Sequence, residues 1–98
     1  MIRIQVGNVT RNVDLSQKQY EVLREMYTTN ALLVTSEGSY YKSWLQVGVV
    51  KSDTRVSVTT ANCLYKGGWI VLCKEPISLY LARYYYELTP KAKKLFVL

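Results

Sequence analysis

The 98-residue sequence contains no histidine, and it has only two cysteines and two prolines. Without histidine the chain lacks the ordinary imidazole base and the commonest metal ligand. The two cysteines show no CxxC spacing, so a tetrahedral zinc site would need carboxylate help. The seven carboxylates are scattered singly, and no phosphate-binding glycine loop or nucleophile motif is present. These absences predict a protein that is not an enzyme and that binds no metal and no cofactor.

Long apolar runs are also absent from the sequence. No run approaches the roughly 20 residues that cross a bilayer, and the N-terminus lacks the apolar block of a signal peptide. We therefore expect a cytoplasmic (intracellular) protein that makes no use of a membrane. In that compartment Cys63 and Cys73 are predicted to be free and buried or half-buried. A disulfide between them is the alternative for a hyperthermophilic source.

What the sequence does contain is apolar composition and an uneven charge. Hydrophobic residues make up 49% of the chain, which predicts one folded domain over 1–98. Residues 1–37 hold four bases and four acids, whereas residues 38–98 hold nine bases and three acids. The whole net charge of +6 therefore lies in the second part. Such a distribution is typical of a protein that binds phosphate backbones; surface charge for solubility is the alternative.

The first part of the chain predicts a strand or hairpin followed by a helix. Apolar and polar residues alternate from Ile2 to Val6, which favours an N-terminal strand or hairpin within residues 1–14. Ser16 and Gln19 form a capping box, which predicts a first helix over 16–29.

A short strand is expected at residues 31–35. The segment 40–47 fits either a short helix or a strand paired with 31–35, and we favour the helix. Residues 48–53 are interpreted as a connector.

The second part of the chain predicts a helix, a hairpin and a helix. Apolar residues at steps of three and four predict a helix over 54–66, which Gly67 and Gly68 end. Two β-prone runs predict a hairpin over 69–88. Threonine as a cap followed by proline predicts a C-terminal helix over 90–97. The expected fold class is therefore α+β.

Two segments in this order, VSVTTANCLYKGGWI and YYYELTPKAKKLF, carry a resemblance to a known family. The chain resembles a winged helix-turn-helix domain of the antibiotic-resistance-type (MarR-like) repressors. The residues that match are Leu64, Lys66, Gly67, Gly68, Trp69 and Ile70, and then Tyr86, Leu88, Thr89, Pro90 and Ala92. The resemblance implies a winged helix that binds double-stranded DNA and regulates transcription.

The resemblance also implies which residues contact DNA. The helix at 54–66 would enter the major groove from Ser57 onward. Thr59, Thr60 and Asn62 would read bases, because asparagine can bond to both N6 and N7 of adenine and threonine offers a hydroxyl and a methyl group. The basic residues expected to contact phosphates are Lys42, Arg55 and Lys66, with Lys74 and Arg83 on the wing and Lys91, Lys93 and Lys94 on its flank.

The expected assembly is a homodimer, since operator symmetry mirrors protein symmetry; its interface would use the N-terminal strand, the first helix or the C-terminal helix. The alternative function is a protein–protein interaction module of the same fold that uses a tyrosine-rich wing. On that wing we expect Tyr84 and Tyr86 in the core and Tyr85 facing outward.

Overall fold

The computed structural model describes residues 1–37, 42–74 and 82–97. Its elements are β1 (Ile2–Val6), β2 (Val9–Val13), α1 (Gln17–Thr29), β3 (Leu32–Glu37), β4 (Lys42–Val47), β5 (Val50–Val56), α2 (Val58–Lys66), β6 (Ile70–Lys74), β7 (Ala82–Leu88) and α3 (Pro90–Lys93). The α+β class is confirmed, and so are the N-terminal hairpin and the strand after α1.

Two antiparallel sheets organise the molecule. Strands β1 and β2 form a hairpin of their own. The other five strands form one sheet in the order β5-β4-β3-β7-β6, which places β5 and β6 at its edges. The chain enters α2 from one edge strand and leaves it into the other, so α2 crosses the sheet.

One face of the five-stranded sheet carries the hydrophobic core. Leu33 of β3 and Leu45 of β4 are fully buried and pair in register. They join one cluster with Val22 and Leu23 of α1 and Leu64 of α2, each also fully buried. The described helices therefore pack on this side, which we call the helix-covered face.

The opposite side of the sheet follows from the alternation of the strands and their register. We call it the helix-free face, and it carries Leu32, Val34, Ser36, Lys42, Trp44, Gln46, Lys51, Asp53, Arg55, Val71, Lys74, Arg83, Tyr85 and Glu87. None of the described helices contributes to it. Val34 is nevertheless fully buried and Trp44 is only 8% exposed.

Local capping signals behave as the sequence predicts at both outer helices. Ser16 Oγ accepts a hydrogen bond from the Gln19 amide at 3.1 Å, and Gln19 Oε1 accepts one from the Ser16 amide at 2.9 Å. This capping box fixes the start of α1, which ends at Thr29 as expected. Thr89 caps α3 by accepting from the Ala92 amide at 3.3 Å, and Pro90 is its first residue.

The predicted length of the C-terminal helix is wrong, because α3 ends at Lys93 and not at residue 97. Tight turn bonds follow, with the Leu95 amide donating to the Ala92 carbonyl at 3.1 Å. They bring Leu95 into the core cluster, and they place the Phe96 ring 4.9 Å from that of Tyr27. Burial of these two side chains outweighs continuation of the helix.

The helix predicted over 54–66 starts four residues later than expected, at Val58, with Ser57 as its cap. Thr54–Val56 belongs to β5, because Val56 is buried and pairs with Ser43 of β4. The end of α2 is as predicted. Gly68 has φ +78, and a Cβ on Gly67 would lie 2.8 Å from Cδ1 of Trp69, so both positions favour glycine.

The helix favoured for 40–47 is wrong over its described part, since Lys42–Val47 is strand β4; residues 40 and 41 lie outside the described ranges. The connector expected at 48–53 is also wrong. Gly48, with φ +61, makes a tight turn with Val49, and β5 starts at Val50. A strand with both faces buried shows adjacent apolar residues, and these imitate one side of a helix.

The predicted hairpin over 69–88 is confirmed as the pair β6 and β7, while its turn at 75–81 lies outside the described residues. Register places Tyr84 and Tyr86 on the helix-covered face and Tyr85 on the helix-free face. All three tyrosines are half-buried, and Tyr86 packs against the core cluster.

The predicted burial of the cysteines is wrong: Cys63 and Cys73 are both exposed, and both are free. Cys63 lies on the outer side of α2, away from Ala61 and Leu64, which are buried. Cys73 sits where the register of edge strand β6 shifts against β7, so neither sheet face encloses it.

Candidate nucleic-acid interface

An open groove with a volume of about 1050 Å³ lies beside edge strand β5 and the start of α2. We call it the basic groove. Its charged lining consists of four cations, Lys18, Lys42, Lys51 and Arg55, and one carboxylate, Asp53. The remaining lining is rich in hydroxyl groups. A groove with this charge balance attracts polyanions.

The shape of β5 exposes two of these cations, Lys51 and Arg55. Trp44 pairs with Arg55 but Gln46 pairs with Lys51, so β5 carries extra residues against β4 and bulges. Glu25 of α1 holds the bulge from the helix-covered side. Its Oε1 accepts from Thr54 Oγ1 at 2.6 Å, and its Oε2 accepts from Ser52 Oγ at 3.2 Å. With these two side chains turned toward α1, alternation directs Lys51 and Arg55 to the other side.

The start of α2 forms the end wall of the basic groove. Ser57 Oγ accepts from the Thr60 amide at 3.0 Å and donates to Thr60 Oγ1 at 2.8 Å. Thr60 is half-buried, and its hydroxyl is engaged by the cap. Of the residues predicted to read bases, Thr60 is therefore the least available to a ligand.

The outer side of α2 presents a single polar stripe. Thr59, Asn62, Cys63 and Lys66 follow the spacing i, i+3, i+4 and i+7, which places them along one side of a helix. All four are exposed. We call these four residues the α2 stripe.

The structure thus divides nine of the twelve predicted DNA-contacting residues into three groups. Lys42, Arg55, Ser57 and Thr60 line the basic groove; Thr59, Asn62 and Lys66 lie on the α2 stripe; Lys74 and Arg83 lie on the helix-free face. The first two groups adjoin at the start of α2, and the third adjoins the first through Lys42, which lines a second cavity together with Arg83.

Three cations have positions that the sequence interpretation did not anticipate. The sequence interpretation gave Lys18 no part in DNA contact and placed Lys51 in a connector, yet both line the basic groove. Reading Lys51, Asp53 and Arg55 as alternate residues of a strand would have identified the second. Lys91 lies over the Trp69 ring at 4.1 Å and donates to the Gly67 carbonyl at 2.8 Å, so it is engaged at the end of α2.

One thiol has a shifted acidity. Partial burial raises the pKa of Cys73 above its ordinary value, and the Glu87 carboxylate raises it further. Although the residue as a whole is exposed, its sulfur is partly shielded from water, which disfavours the thiolate.

Within the described ranges, no group of three or more Cys, Asp or Glu residues is placed to hold a metal ion. The described helices include none that is long and apolar enough to cross a membrane. Comparison of the chain with protein-family models, with curated proteins and with solved structures gives no match.

Proposed function

We propose that the protein binds double-stranded DNA, with the α2 stripe in the major groove and the basic groove against the phosphate backbone. One observation carries this proposal: the exposed polar stripe of α2 begins where a groove lined by four cations ends. Base-reading side chains and backbone-neutralising charges are thereby adjacent, as a DNA-binding helix requires.

The chemistry of the stripe suits the major groove. An α-helix with its side chains is about 10–12 Å across, close to the roughly 12 Å width of that groove. Asn62 can accept from N6 and donate to N7 of adenine, and Thr59 offers a hydroxyl and a methyl group. Lys66 at the end of the stripe would contact a phosphate. The engaged hydroxyl of Thr60 leaves base reading to Thr59 and Asn62.

The winged-helix interpretation is part of this proposal. The order of α2 followed by the β6–β7 hairpin is that of a recognition helix and its wing, which supports it. Where a helix-turn-helix has its first helix, this chain has the β4–β5 hairpin. We therefore propose a winged helix in which that hairpin, with Lys42 and Lys51, flanks the DNA backbone. A homodimer on a symmetric operator completes the proposal.

The test is fluorescence anisotropy with a labelled random-sequence duplex at several salt concentrations, followed by selection of a preferred site. Lys18→Gln with Lys66→Gln should weaken binding to all sequences and reduce the salt slope by about 1.8 for two lost phosphate contacts. Asn62→Ala should lower the preference for the selected site by about 1–3 kcal/mol and leave random binding nearly unchanged.

The charge-matched control is Arg3→Gln, which removes an exposed base from the N-terminal hairpin. It should change neither the salt slope nor the preference. Absence of duplex binding at low salt would overturn the proposal and favour the protein-interaction alternative.

A further inference from the structure

The helix-free face carries a row of side chains that crosses all five strands. Register pairs Lys74 with Tyr85, Tyr85 with Val34, Val34 with Trp44, and Trp44 with Arg55. Along the row, the side chains are therefore basic, aromatic, apolar, aromatic and basic in turn. Neighbouring strands lie about 4.8 Å apart, so the row spans roughly 19 Å.

More positive charge flanks this row. Arg83 and Lys42 each pair with Ser36 in the next register position. A cavity of about 400 Å³ opens there, and its charged lining residues are Lys42, Lys51 and Arg83, with no carboxylate among the residues described at its wall. This cavity is thus a site of concentrated positive charge beside an aromatic ring.

The cations lie over the aromatic rings. Lys51 Nζ is 4.9 Å and Arg83 Cζ is 5.4 Å from the centroid of Trp44, and Lys74 Nζ is 5.4 Å from that of Tyr85. Lys51 and Lys74 are exposed, and such contacts are weak at exposed sites, so a phosphate can draw these two side chains off the rings.

Arg83 shows an unmet donor as well. Its Nε atom is buried and donates no hydrogen bond within the part of the chain that the structure describes. A buried donor without an acceptor is costly, and an anionic oxygen that accepted from it would remove that cost. Arg83 as a residue lines the cavity together with Lys42 and Lys51.

We infer that the helix-free face binds an unpaired DNA strand, with phosphates on Lys42, Lys51 and Arg83 and a base stacked on Tyr85. Aromatic rings interleaved with cations are the pattern of single-strand binding, because every base offers a face for stacking. A duplex keeps its bases stacked on one another and would use the cations alone. An acidic peptide would likewise make no use of the rings.

This inference goes beyond duplex binding by α2: the two surfaces share Lys42 and Lys51, while Tyr85 and Arg83 belong to the helix-free face alone. Only the choice of DNA over RNA rests on the proposed function. Binding of a single strand to the helix-free face stands even where the α2 stripe binds no duplex.

The experiment measures anisotropy of a labelled oligo-dT of about 12 nucleotides with the full chain. Tyr85→Ala should weaken binding about tenfold or more, the loss typical of one stacked base, while Tyr85→Phe keeps the ring and should bind as the parent does. Lys51→Gln with Arg83→Gln should reduce the single-strand salt slope by about 1.4. Arg3→Gln is the charge control, and circular dichroism checks the fold of each variant.

Duplex variants separate the two surfaces. Asn62→Ala should leave oligo-dT binding unchanged, and Tyr85→Ala should leave duplex preference unchanged. The inference is overturned when Tyr85→Ala binds oligo-dT as the parent does, when polyglutamate displaces the oligonucleotide at equal charge concentration, or when oligo-dT does not bind at low salt. Oligo-U binding tighter than oligo-dT would overturn the assignment to DNA.

Discussion

The two faces of the five-stranded sheet bury apolar side chains by different means. Leu33 and Val34 are neighbours on β3, both are fully buried, and they point to opposite sides. Leu33 lies among aliphatic side chains of α1 and α2. Val34 lies in register between the rings of Trp44 and Tyr85, which in turn lie under lysine and arginine.

The comparison shows that side chains on a sheet face can be shielded from water although no described helix packs on that face. Long cationic side chains have aliphatic stems that cover aromatic rings while their charges remain in water. The helix-covered face is closed permanently by packing. The helix-free face is closed by cationic side chains over aromatic rings, and this arrangement is the basis of the single-strand binding that we propose for it.

The largest loss of stability is expected for a substitution on the helix-covered face. Leu33→Ala should lower the free energy of unfolding by about 2–5 kcal/mol, because it removes a fully buried side chain from the middle of the core and leaves a cavity. Urea unfolding followed by circular dichroism measures it. A loss below about 1 kcal/mol would mean that α1 and α2 do not pack on this face as described.

A smaller but clear effect is expected at the neighbouring position. Val34→Ala should cost about 1.5–2.5 kcal/mol, since two buried CH₂ equivalents are lost under the rings. The matched control is Val71→Ala on the same face, where the side chain is 44% exposed and the cost should stay within about 0.5 kcal/mol. Equal costs at the two positions would show that the helix-free face is ordinary surface.

Much of the fold could be predicted because its signals are local. A capping box, a glycine pair and a Thr-Pro step each act within a few residues. The start and end of α1, the end of α2 and the start of α3 could therefore be predicted from the sequence. The strand β4 was not readable, because Trp44 and Leu45 are both buried but on opposite faces. That distinction depends on partners distant in sequence.

The candidate site was predictable to a similar extent. The charge distribution identified the basic part of the chain, and helix spacing identified Thr59, Asn62 and Lys66 as outward residues. Lys51 was missed, because its role depends on β5 being a strand. The row across the helix-free face is formed only by the register between neighbouring strands, and no local sequence pattern specifies that register.

The smallest predicted effect is on the reactivity of the Cys73 thiol, which lies beside Glu87 where the register of β6 shifts. Partial burial, and to a lesser degree the Glu87 carboxylate, disfavour the thiolate and raise the pKa of this thiol. In a Cys63→Ser background, alkylation by iodoacetamide should therefore rise at higher pH than for a small free thiol, because the thiolate is the nucleophile. Mass spectrometry across a pH series measures the profile. Glu87→Gln should move it only part of the way back, since burial is the larger cause. A profile that coincides with the free thiol would mean that β6 leaves the sulfur fully in water, and the edge of the sheet would then be more open than either face.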